Sequence, residues 1–313
     1  LKLMRLYGQS TKKKKLGIIC FDGNWHGRTM GAQLMSGNTQ QKKWIGLKDK
    51  NIYHLPFPYP WTLKDKKISP EKFLNDSIKK FKKKFNIKKD ICGVMLETFQ
   101  GWGALFYPKE YVKTLYRICK KNNILICFDE MQSGFGRTGK MFGYEHYGVK
   151  PDLICCGKGM GGGVPISGVL GRRDVMDLPE IGNMSSTHSS NPLSCTAGIS
   201  VLDEIKNKNI LIKTSSKSKI LFNGLQKIQE KNKKNIVYIS GKGLVAALIF
   251  KKTKKINHLL KEVCTECMKN GLLVVYTGRE SVKIGPPLTI SVSALKEGVK
   301  ILDNSITKIF NEY

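Results

Sequence analysis

The sequence predicts an α/β protein with a mostly parallel sheet flanked by helices, followed by a smaller C-terminal α+β domain. Two observations support this prediction. Apolar strand patterns alternate with helical patterns through the first part of the 313 residues, which is typical of βαβ units and a parallel sheet. From about residue 236 the order changes, and several strands occur close together between helices. We therefore predict a large domain at residues 1–210 and a small domain at residues 211–313.

The elements of the large domain are predicted from apolar runs and from the residues at their ends. Pro70 and Pro108 each open a helical pattern, because proline lacks the N–H group that the first helical turn leaves unpaired. Ser69 is the expected N-cap of the first of these helices. In chain order we predict strand 16–21, helix 70–85, strand 91–97, helix 108–121, strands 124–129, 153–156 and 167–170, and a helix from residue 192.

The small domain is predicted from the same periodicities, three to four residues for helices and two for strands. In chain order we predict helix 211–231, strands 236–239 and 243–250, helix 256–269, strands 272–277 and 282–284, and helix 293–310.

The charge of the chain is strongly positive, at +30, and 54 residues are Lys or Arg. Only seven of these are Arg, the residue type best suited to bidentate recognition of bases and phosphates. The lysines are spread along the chain and favour an exposed, solvated surface over a nucleic-acid site, although weak, salt-sensitive binding to polyanions is expected. No apolar run approaches the roughly 20 residues of a membrane span.

Nine cysteines are present, an odd number, and most lie in apolar runs, as do Cys20, Cys92, Cys127, Cys155 and Cys156. We interpret them as small buried apolar residues of a protein in a reducing compartment, which suggests a cytoplasmic location. Another pair has C-x-x-C spacing within a helical pattern (HLLKEVCTECMKNG), but no second ligand pair accompanies it, so no zinc site is predicted.

The most informative residues are Asp129 and Lys158. Asp129 directly follows one apolar run, and Lys158 lies two residues after another. We expect the two runs to form neighbouring strands. In an open α/β sheet, ligands bind outside the carboxyl ends of the strands. A carboxylate and a lysine at two such ends are what pyridoxal phosphate (PLP) chemistry requires: the lysine holds the cofactor as a Schiff base, and the carboxylate keeps the pyridine nitrogen protonated.

This stretch also fits other interpretations. The Lys could be solvated, and the Asp could be a helix N-cap. Two G-x-G-x-x-G patterns, which begin at Gly134 and Gly157, also match a nucleotide-binding pattern. Such a pattern is informative only when a strand precedes it and a helix opens directly after it. The residues that follow both patterns contain further Gly or Pro, so a nucleotide site is the less favoured hypothesis.

The stretch ILICFDEMQSGFGRTGKMFGYEHYGVKPDLICCGKGMGGG resembles the signature of class III (ω-type) aminotransferases, which are fold-type-I PLP enzymes. The resemblance implies that Lys158 is both the Schiff-base lysine and a general base, and that Asp129 binds the pyridine nitrogen. It also implies that Gln132 binds the phenolic oxygen of the cofactor. The segment FDGNWHGRTMGA matches too, with Trp25 and His26 at the cofactor and Arg28 on a substrate carboxylate.

Two further residues are assigned by the same resemblance. Glu97 matches the glutamate that opens the E-P-x-Q-G-E segment, and we assign it to substrate binding. Thr187 matches a threonine that reaches the cofactor phosphate of the neighbouring subunit, which implies a homodimer. This chain departs from the family at Trp102, which replaces the second glutamate, and at Lys283, which replaces an arginine. These departures predict a pocket rebuilt for a substrate other than glutamate and 2-oxoglutarate.

The family also carries about a hundred residues upstream, including a Gly-Ser/Thr loop that holds the cofactor phosphate. Because this chain opens at LKLMRLYG, we expect it to be an N-terminally truncated member. The predicted function is PLP-dependent transfer of an amino group from a primary amine or ω-amino acid to a 2-oxo acid. The alternatives are a PLP decarboxylase, epimerase or aminomutase on the same scaffold, and an inactive fragment.

Overall fold

The computed structural model describes residues 1–11, 14–81 and 84–312. The chain forms two compact units. The first contains residues 1–100, 107–132 and 144–201, and the second contains residues 101–106, 133–143 and those from 202 onward. The second unit thus takes in two short segments that the sequence analysis assigns to the large domain, and the domain boundary at residue 210 stays a prediction.

The first unit is built around a six-stranded sheet in the order β2-β1-β3-β6-β7-β8. Neighbouring strands are parallel except for β8, which runs antiparallel to β7. The predicted mostly parallel sheet is therefore confirmed. Its strands are β1 (Gly17–Phe21), β2 (Ile52–Leu55), β3 (Ile91–Glu97), β6 (Leu125–Asp129), β7 (Leu153–Cys156) and β8 (Gly168–Gly171). The short strand β4 (Phe99–Gln100) belongs to this unit but lies outside the sheet, and the short strand β5 (Leu105–Phe106) belongs to the second unit.

Seven helices accompany these strands: α1 (Lys2–Ser10), α2 (Met30–Met35), α3 (Pro60–Lys66), α4 (Pro70–Phe81), α5 (Lys109–Lys121), α6 (Arg173–Met176) and α7 (Pro192–Asn207). As predicted, Ser69 caps α4, since its Oγ accepts the backbone N–H of Lys72 at 3.2 Å. The helix was expected to continue to about Phe85, but residues 82–83 lie outside the described residues and residue 84 is in a turn.

The elements of this unit that the sequence pattern did not predict are the strands β2 and β4 and the helices α1, α2, α3 and α6. Strand β2 is short, and its first three residues are only partly buried. It also contains His54, so it lacks the continuous apolar run that marks β1, β3 and β6, whose residues are all buried. A strand at the edge of a sheet needs less apolar character, because one of its sides has no neighbouring strand.

The second unit contains a four-stranded antiparallel sheet in the order β11-β12-β10-β9. Its elements are α8 (Ile210–Lys231), β9 (Ile236–Lys242), β10 (Val245–Phe250), α9 (Ile256–Lys269), β11 (Val275–Tyr276), β12 (Ser281–Ile284) and α10 (Val292–Glu312). The strand predicted at 272–277 is wrong over most of its length. Leu273 is 83% exposed, and β11 pairs with β12 over only two residues because it lies at the sheet edge.

His54 is the polar group that β2 brings into the first unit. Its Nε2 lies 3.0 Å from the carbonyl oxygens of both Met35 and Ser36, so Nε2 carries the hydrogen and donates it. Burial lowers the pKa of His54 from 6.5 to about 4, and the nearby ammonium of Lys42 adds to this effect. The folded protein therefore holds His54 neutral, whereas the unfolded chain protonates it at a higher pH.

We predict that this difference makes folding stability depend on pH between about 6.5 and 4. The contribution of His54 is complete above pH 6.5 and is lost as pH falls through that window, by at most about 3 kcal/mol. His54→Gln, whose amide can still donate to a carbonyl, should show a flatter dependence in urea unfolding, while the exposed control His258→Gln should follow the wild type. Equal pH dependence of His54→Gln and the wild type would contradict this account.

Candidate functional site

Asp129 lies at the carboxyl end of β6 and is buried, with 7% of its surface exposed. In the sheet register it pairs with Glu97 on one side and with Cys155 on the other. Its Oδ1 accepts the backbone N–H of Met131 at 3.1 Å. This contact closes a local turn, and no α-helix begins there, so the N-cap interpretation of Asp129 is wrong.

The second carboxylate oxygen of Asp129 is held by His26. The distance from His26 Nδ1 to Asp129 Oδ2 is 2.9 Å, and the His26 side chain is fully buried. A carboxylate oxygen accepts hydrogen bonds, so Nδ1 is the donor. The loop that carries His26 is fixed in turn, because its backbone N–H donates to Ser36 Oγ at 2.8 Å. The two oxygens of Asp129 are therefore oriented by two separate donors.

Glu97 fixes the neighbouring residue of the same loop. It is buried at the end of β3, and its Oε2 accepts the backbone N–H of Trp25 at 2.9 Å. The guanidinium carbon of Arg28 lies 4.8 Å from the centroid of the Trp25 ring, a cation–π contact. Arg28 is exposed and lies against one face of that ring, and Trp25 itself is partly exposed. The structure thus brings Trp25, Arg28 and Glu97 together, and their roles toward cofactor and substrate stay predictions.

Lys158 follows β7 and opens a short 3-10 turn at Lys158–Gly161. Its φ of 46° places it in the left-handed region, which side chains other than Gly seldom adopt and which is often found at functional sites. The side chain is exposed, and within the described residues its ammonium has no hydrogen-bond or ion-pair partner. A Cβ atom on Gly157 would come 2.5 Å from Met131 Sδ, so a glycine is needed before the lysine.

The other two predicted residues are placed less closely. Gln132 is partly buried, three residues after Asp129, and it has interaction partners in the chain. Thr187 is exposed in a turn at residues 187–190. The structure therefore gathers Trp25, His26, Glu97 and Asp129 by direct hydrogen bonds or by register, whereas it does not show Thr187 in contact with them.

Sequence reasoning missed Glu130, which is fully buried next to Asp129. Its Oε1 accepts the Thr98 hydroxyl at 2.5 Å and the backbone N–H of Tyr144 at 2.7 Å. These bonds tie the chain after β6 to the chain after β3, so Glu130 fixes the strand ends on which the site is built. A carboxylate directly after an apolar strand and directly beside Asp129 was the signal that could have found it.

The structure contradicts the nucleotide-binding hypothesis. The pattern that begins at Gly157 follows a strand, but a 3-10 turn and then β8 come after it. The pattern that begins at Gly134 leads into turns and a 3-10 segment at Gly143–Tyr147. Neither pattern opens the α-helix that a phosphate-binding loop requires.

The residues that are present suit PLP. A buried carboxylate with fixed oxygens can bind a protonated pyridine nitrogen, and an unpartnered lysine amine lies three residues beyond the strand position that pairs with Asp129. His26 Nε2 is also buried and has no hydrogen-bond partner among the described residues. A polar atom of this kind is expected where a bound group or an ordered water completes the site.

The positions that depart from the family lie in the second unit. Trp102 stacks under Arg279, whose guanidinium carbon is 4.7 Å from the Trp102 ring centroid. The Trp102 carbonyl accepts the hydroxyl of Ser281 at 3.1 Å. The aromatic ring at this position is therefore held within its own unit by residues around β12, the strand that carries Lys283.

The described residues contain no cluster of three or more His, Cys, Asp or Glu side chains that could hold a metal ion. All nine cysteines are free thiols; Cys155 is only partly buried, unlike the full burial we expected for it. Within the same residues, no helix has both the length and the apolar character that crossing a bilayer requires.

Comparisons with known proteins agree with this chemistry. The family model described as aminotransferase class-III matches residues 1–306. An acetylornithine aminotransferase from Caldanaerobacter subterraneus subsp. tengcongensis is 32% identical over 297 residues, which cover 95% of this chain and 69% of the relative. A 4-aminobutyrate aminotransferase from Mycobacterium leprae is 30% identical over 300 residues, which cover 92% of this chain and 67% of the relative.

Among solved structures, the ornithine aminotransferase from Toxoplasma gondii superposes with a TM-score of 0.86 at 23% identity, covering 100% of this chain and 70% of that chain. This likeness shows a shared fold. Together with the family match over nearly the whole sequence, it identifies the chain: it belongs to the class III aminotransferases, PLP-dependent enzymes that transfer amino groups to 2-oxo acids.

Proposed function

We propose that this aminotransferase takes the amino group from an ω-amino acid or a related primary amine, and that Lys158 and Asp129 act directly on the cofactor. The observation that carries the proposal is the placement of a fixed carboxylate and an unpartnered lysine at the carboxyl ends of adjacent strands. When bound, PLP supplies a carbonyl that reacts with primary amines and a ring that accepts electrons.

Asp129 holds a proton at the pyridine nitrogen, and the hydrogen bonds from His26 Nδ1 and the Met131 backbone keep its oxygens in place for this task. Such preorganisation is effective because no reorientation is needed while charge develops. Lys158 Nζ would hold the cofactor through its carbonyl group, and the lysine amine would accept and return the proton that moves at the substrate carbon. Its freedom from other partners leaves the amine available for both roles.

Trp25 and Arg28 orient the reactants. Glu97 fixes the backbone of Trp25, so the ring of Trp25 can stack on the cofactor ring. Arg28 presents a planar set of N–H donors that can bind a carboxylate with two hydrogen bonds. Gln132, three residues after Asp129, is proposed to donate to the phenolic oxygen of the cofactor.

The substrate class is proposed from the relatives and from Arg28. The compounds for which the two relatives are named carry an amine on a short chain that also bears a carboxylate. An amine at the reacting end and a carboxylate at Arg28 satisfy both halves of such a molecule. Trp102 replaces a carboxylate that the family commonly has, so we do not assign glutamate as the partner substrate.

A homodimer is proposed from Thr187 and the surface around it. Large apolar side chains are exposed on both sides of this threonine in the sequence: Ile181, Met184, Leu193 and Ile199, at 107%, 46%, 75% and 60%. Exposed apolar groups of this size favour burial against another chain. In a symmetric dimer, Thr187 would reach the cofactor phosphate of the partner subunit.

The location and the other partners are proposed from composition. Nine free thiols are compatible with a reducing compartment, so we propose the cytoplasm. The excess of Lys over Arg favours a solvated basic surface, and neither a specific nucleic-acid partner nor a membrane is proposed.

We predict that Lys158 is the residue that carries the cofactor. Borohydride reduction of the PLP-loaded protein, followed by proteolysis and mass spectrometry, should place the pyridoxyl label on the peptide that contains Lys158, because its amine is exposed and unpartnered. Lys158→Ala should lose the label, whereas the control Lys140→Ala should keep it. A label on another lysine in the wild type would contradict the assignment.

We also predict that Arg28 selects carboxylate-bearing donors. The wild type should prefer 4-aminobutyrate to n-butylamine in kcat/KM, and Arg28→Gln should reduce this preference by about tenfold or more, since a charged hydrogen bond contributes roughly 1.5–3 kcal/mol. The control is Arg173→Gln, whose side chain is 94% exposed on α6. An unchanged preference in Arg28→Gln would mean that another group binds the carboxylate.

A further inference from the structure

A cavity with several lysines in its lining lies in the first unit, beside the edge strand β2. Its volume is about 460 Å³, and its polar lining includes Thr39, Lys42, Lys43, Lys48 and His54. None of these residues belongs to the site described above. We call it the Lys42 cavity.

Lys42 is partly buried and lines this cavity. Its Nζ donates to the Leu34 carbonyl at 3.1 Å and lies 3.5 Å from His54 Nε2. That imidazole nitrogen already donates to two carbonyl oxygens, so it cannot accept from Lys42. Within the described residues no carboxylate forms an ion pair with Lys42. Three N–H donors therefore have one good acceptor, and burial lowers the pKa of Lys42.

The remaining charges do not neutralise this ammonium. The one carboxylate in the lining is Asp49, and both of its oxygens are engaged. Oδ2 forms an ion pair with Arg5 at 2.6 Å, and Oδ1 accepts the backbone N–H of Asn51 at 2.9 Å. Lys43 and Lys48 add two further positive charges at the exposed rim. Asp22, which lies outside the lining, also attracts the Lys42 ammonium, but the lining itself carries three lysines against one carboxylate, so its net charge is positive.

The rest of the lining is apolar. Leu34, Leu47 and Ile52 contribute hydrocarbon surface, and Thr39 contributes a hydroxyl. A small inorganic anion would leave these apolar groups uncovered. A short organic acid would cover them with its chain while its carboxylate met the lysine ammoniums.

We propose that the Lys42 cavity is a binding site for a short-chain organic carboxylate, separate from the catalytic centre. The carboxylate accepts from Lys42 and from Lys43 or Lys48, and the chain packs on Leu34, Leu47 and Ile52. An anion in this place supplies further acceptors to the partly buried Lys42 ammonium, whose donors have only the Leu34 carbonyl as a good acceptor among the described residues.

Fluorine NMR on the PLP-loaded protein with 5-fluorotryptophan tests this proposal. The chain has four Trp residues, and each is assigned by substitution to Phe. Trp44 lies in the 3-10 segment Gln40–Ile45, next to the lining residue Lys43. Trp25 reports separately on the catalytic site, where Arg28 also attracts carboxylates. Hexanoate is the probe, and acetate is the comparison that lacks the apolar chain.

Hexanoate should shift the Trp44 signal saturably, and acetate should bind at least about tenfold more weakly, because each buried CH₂ adds to affinity. Lys42→Met should weaken hexanoate binding at least about tenfold. The double variant Lys43→Met/Lys48→Met, which changes only exposed side chains, should weaken it about threefold or more, and the exposed control Lys64→Met on α3 should match the wild type.

Three results would overturn the proposal: a hexanoate titration that shifts the Trp25 signal and leaves Trp44 unchanged, wild-type affinity in both the Lys42 and the Lys43/Lys48 variants, or equal binding of acetate and hexanoate. The first result would place the anion at the catalytic centre. The second would show that the lysines do not bind the carboxylate, and the third would show that the apolar lining does not contribute to binding.

Discussion

The hydrogen bond between His26 and Asp129 is the interaction on which the proposed catalytic site depends. It joins the loop after β1 to the end of β6, and its 2.9 Å length holds a buried carboxylate in one orientation. The parallel sheet makes this possible, because the carboxyl ends of its strands meet at one edge. Glu97, Asp129 and the β7 strand before Lys158 are consecutive members of that edge.

A set of buried polar contacts keeps this edge rigid. Glu97 holds the Trp25 backbone, Ser36 holds the His26 backbone, and Glu130 binds the Thr98 hydroxyl and the Tyr144 backbone. Each of these buried carboxylates accepts hydrogen bonds mainly from N–H or O–H groups of its own unit. A charged group without partners would be costly to bury, so these contacts both stabilise the fold and position the reacting groups.

The sequence predicts much of this arrangement because the residue pattern within each element agrees with the place of that element in the fold. The apolar runs of β3 and β6 are long enough to identify both strands, and each ends in a carboxylate that the sheet then brings together. The helices at Pro70 and Pro108 are predicted for the same reason, because the proline that marks each start agrees with the helical pattern that follows it. Lys158 and Asp129 are predicted as site residues from their strand ends and from resemblance to a known signature, and the structure places both at strand ends.

What escaped prediction depends on contacts that are distant in sequence. Strand β2 is recognisable only from its pairing with β1, since its own residues are partly polar. The predicted strand at 272–277 is reduced to two residues because only Val275 and Tyr276 pair with β12. The bond from His26 to Asp129 spans 103 positions, so no local pattern could reveal that His26 orients the carboxylate. The cation-rich cavity beside β2 likewise forms only when His54 and Lys42 are brought together.

The central claim is that Asp129 acts as a charged partner of the cofactor. It is tested most directly by comparing Asp129→Asn with the wild type for bound PLP and for turnover in the same preparation. We expect the variant to keep the cofactor but to lose activity by at least about a hundredfold, because a neutral amide cannot hold the proton on the pyridine nitrogen. Turnover close to that of the wild type, with the cofactor bound, would contradict the account.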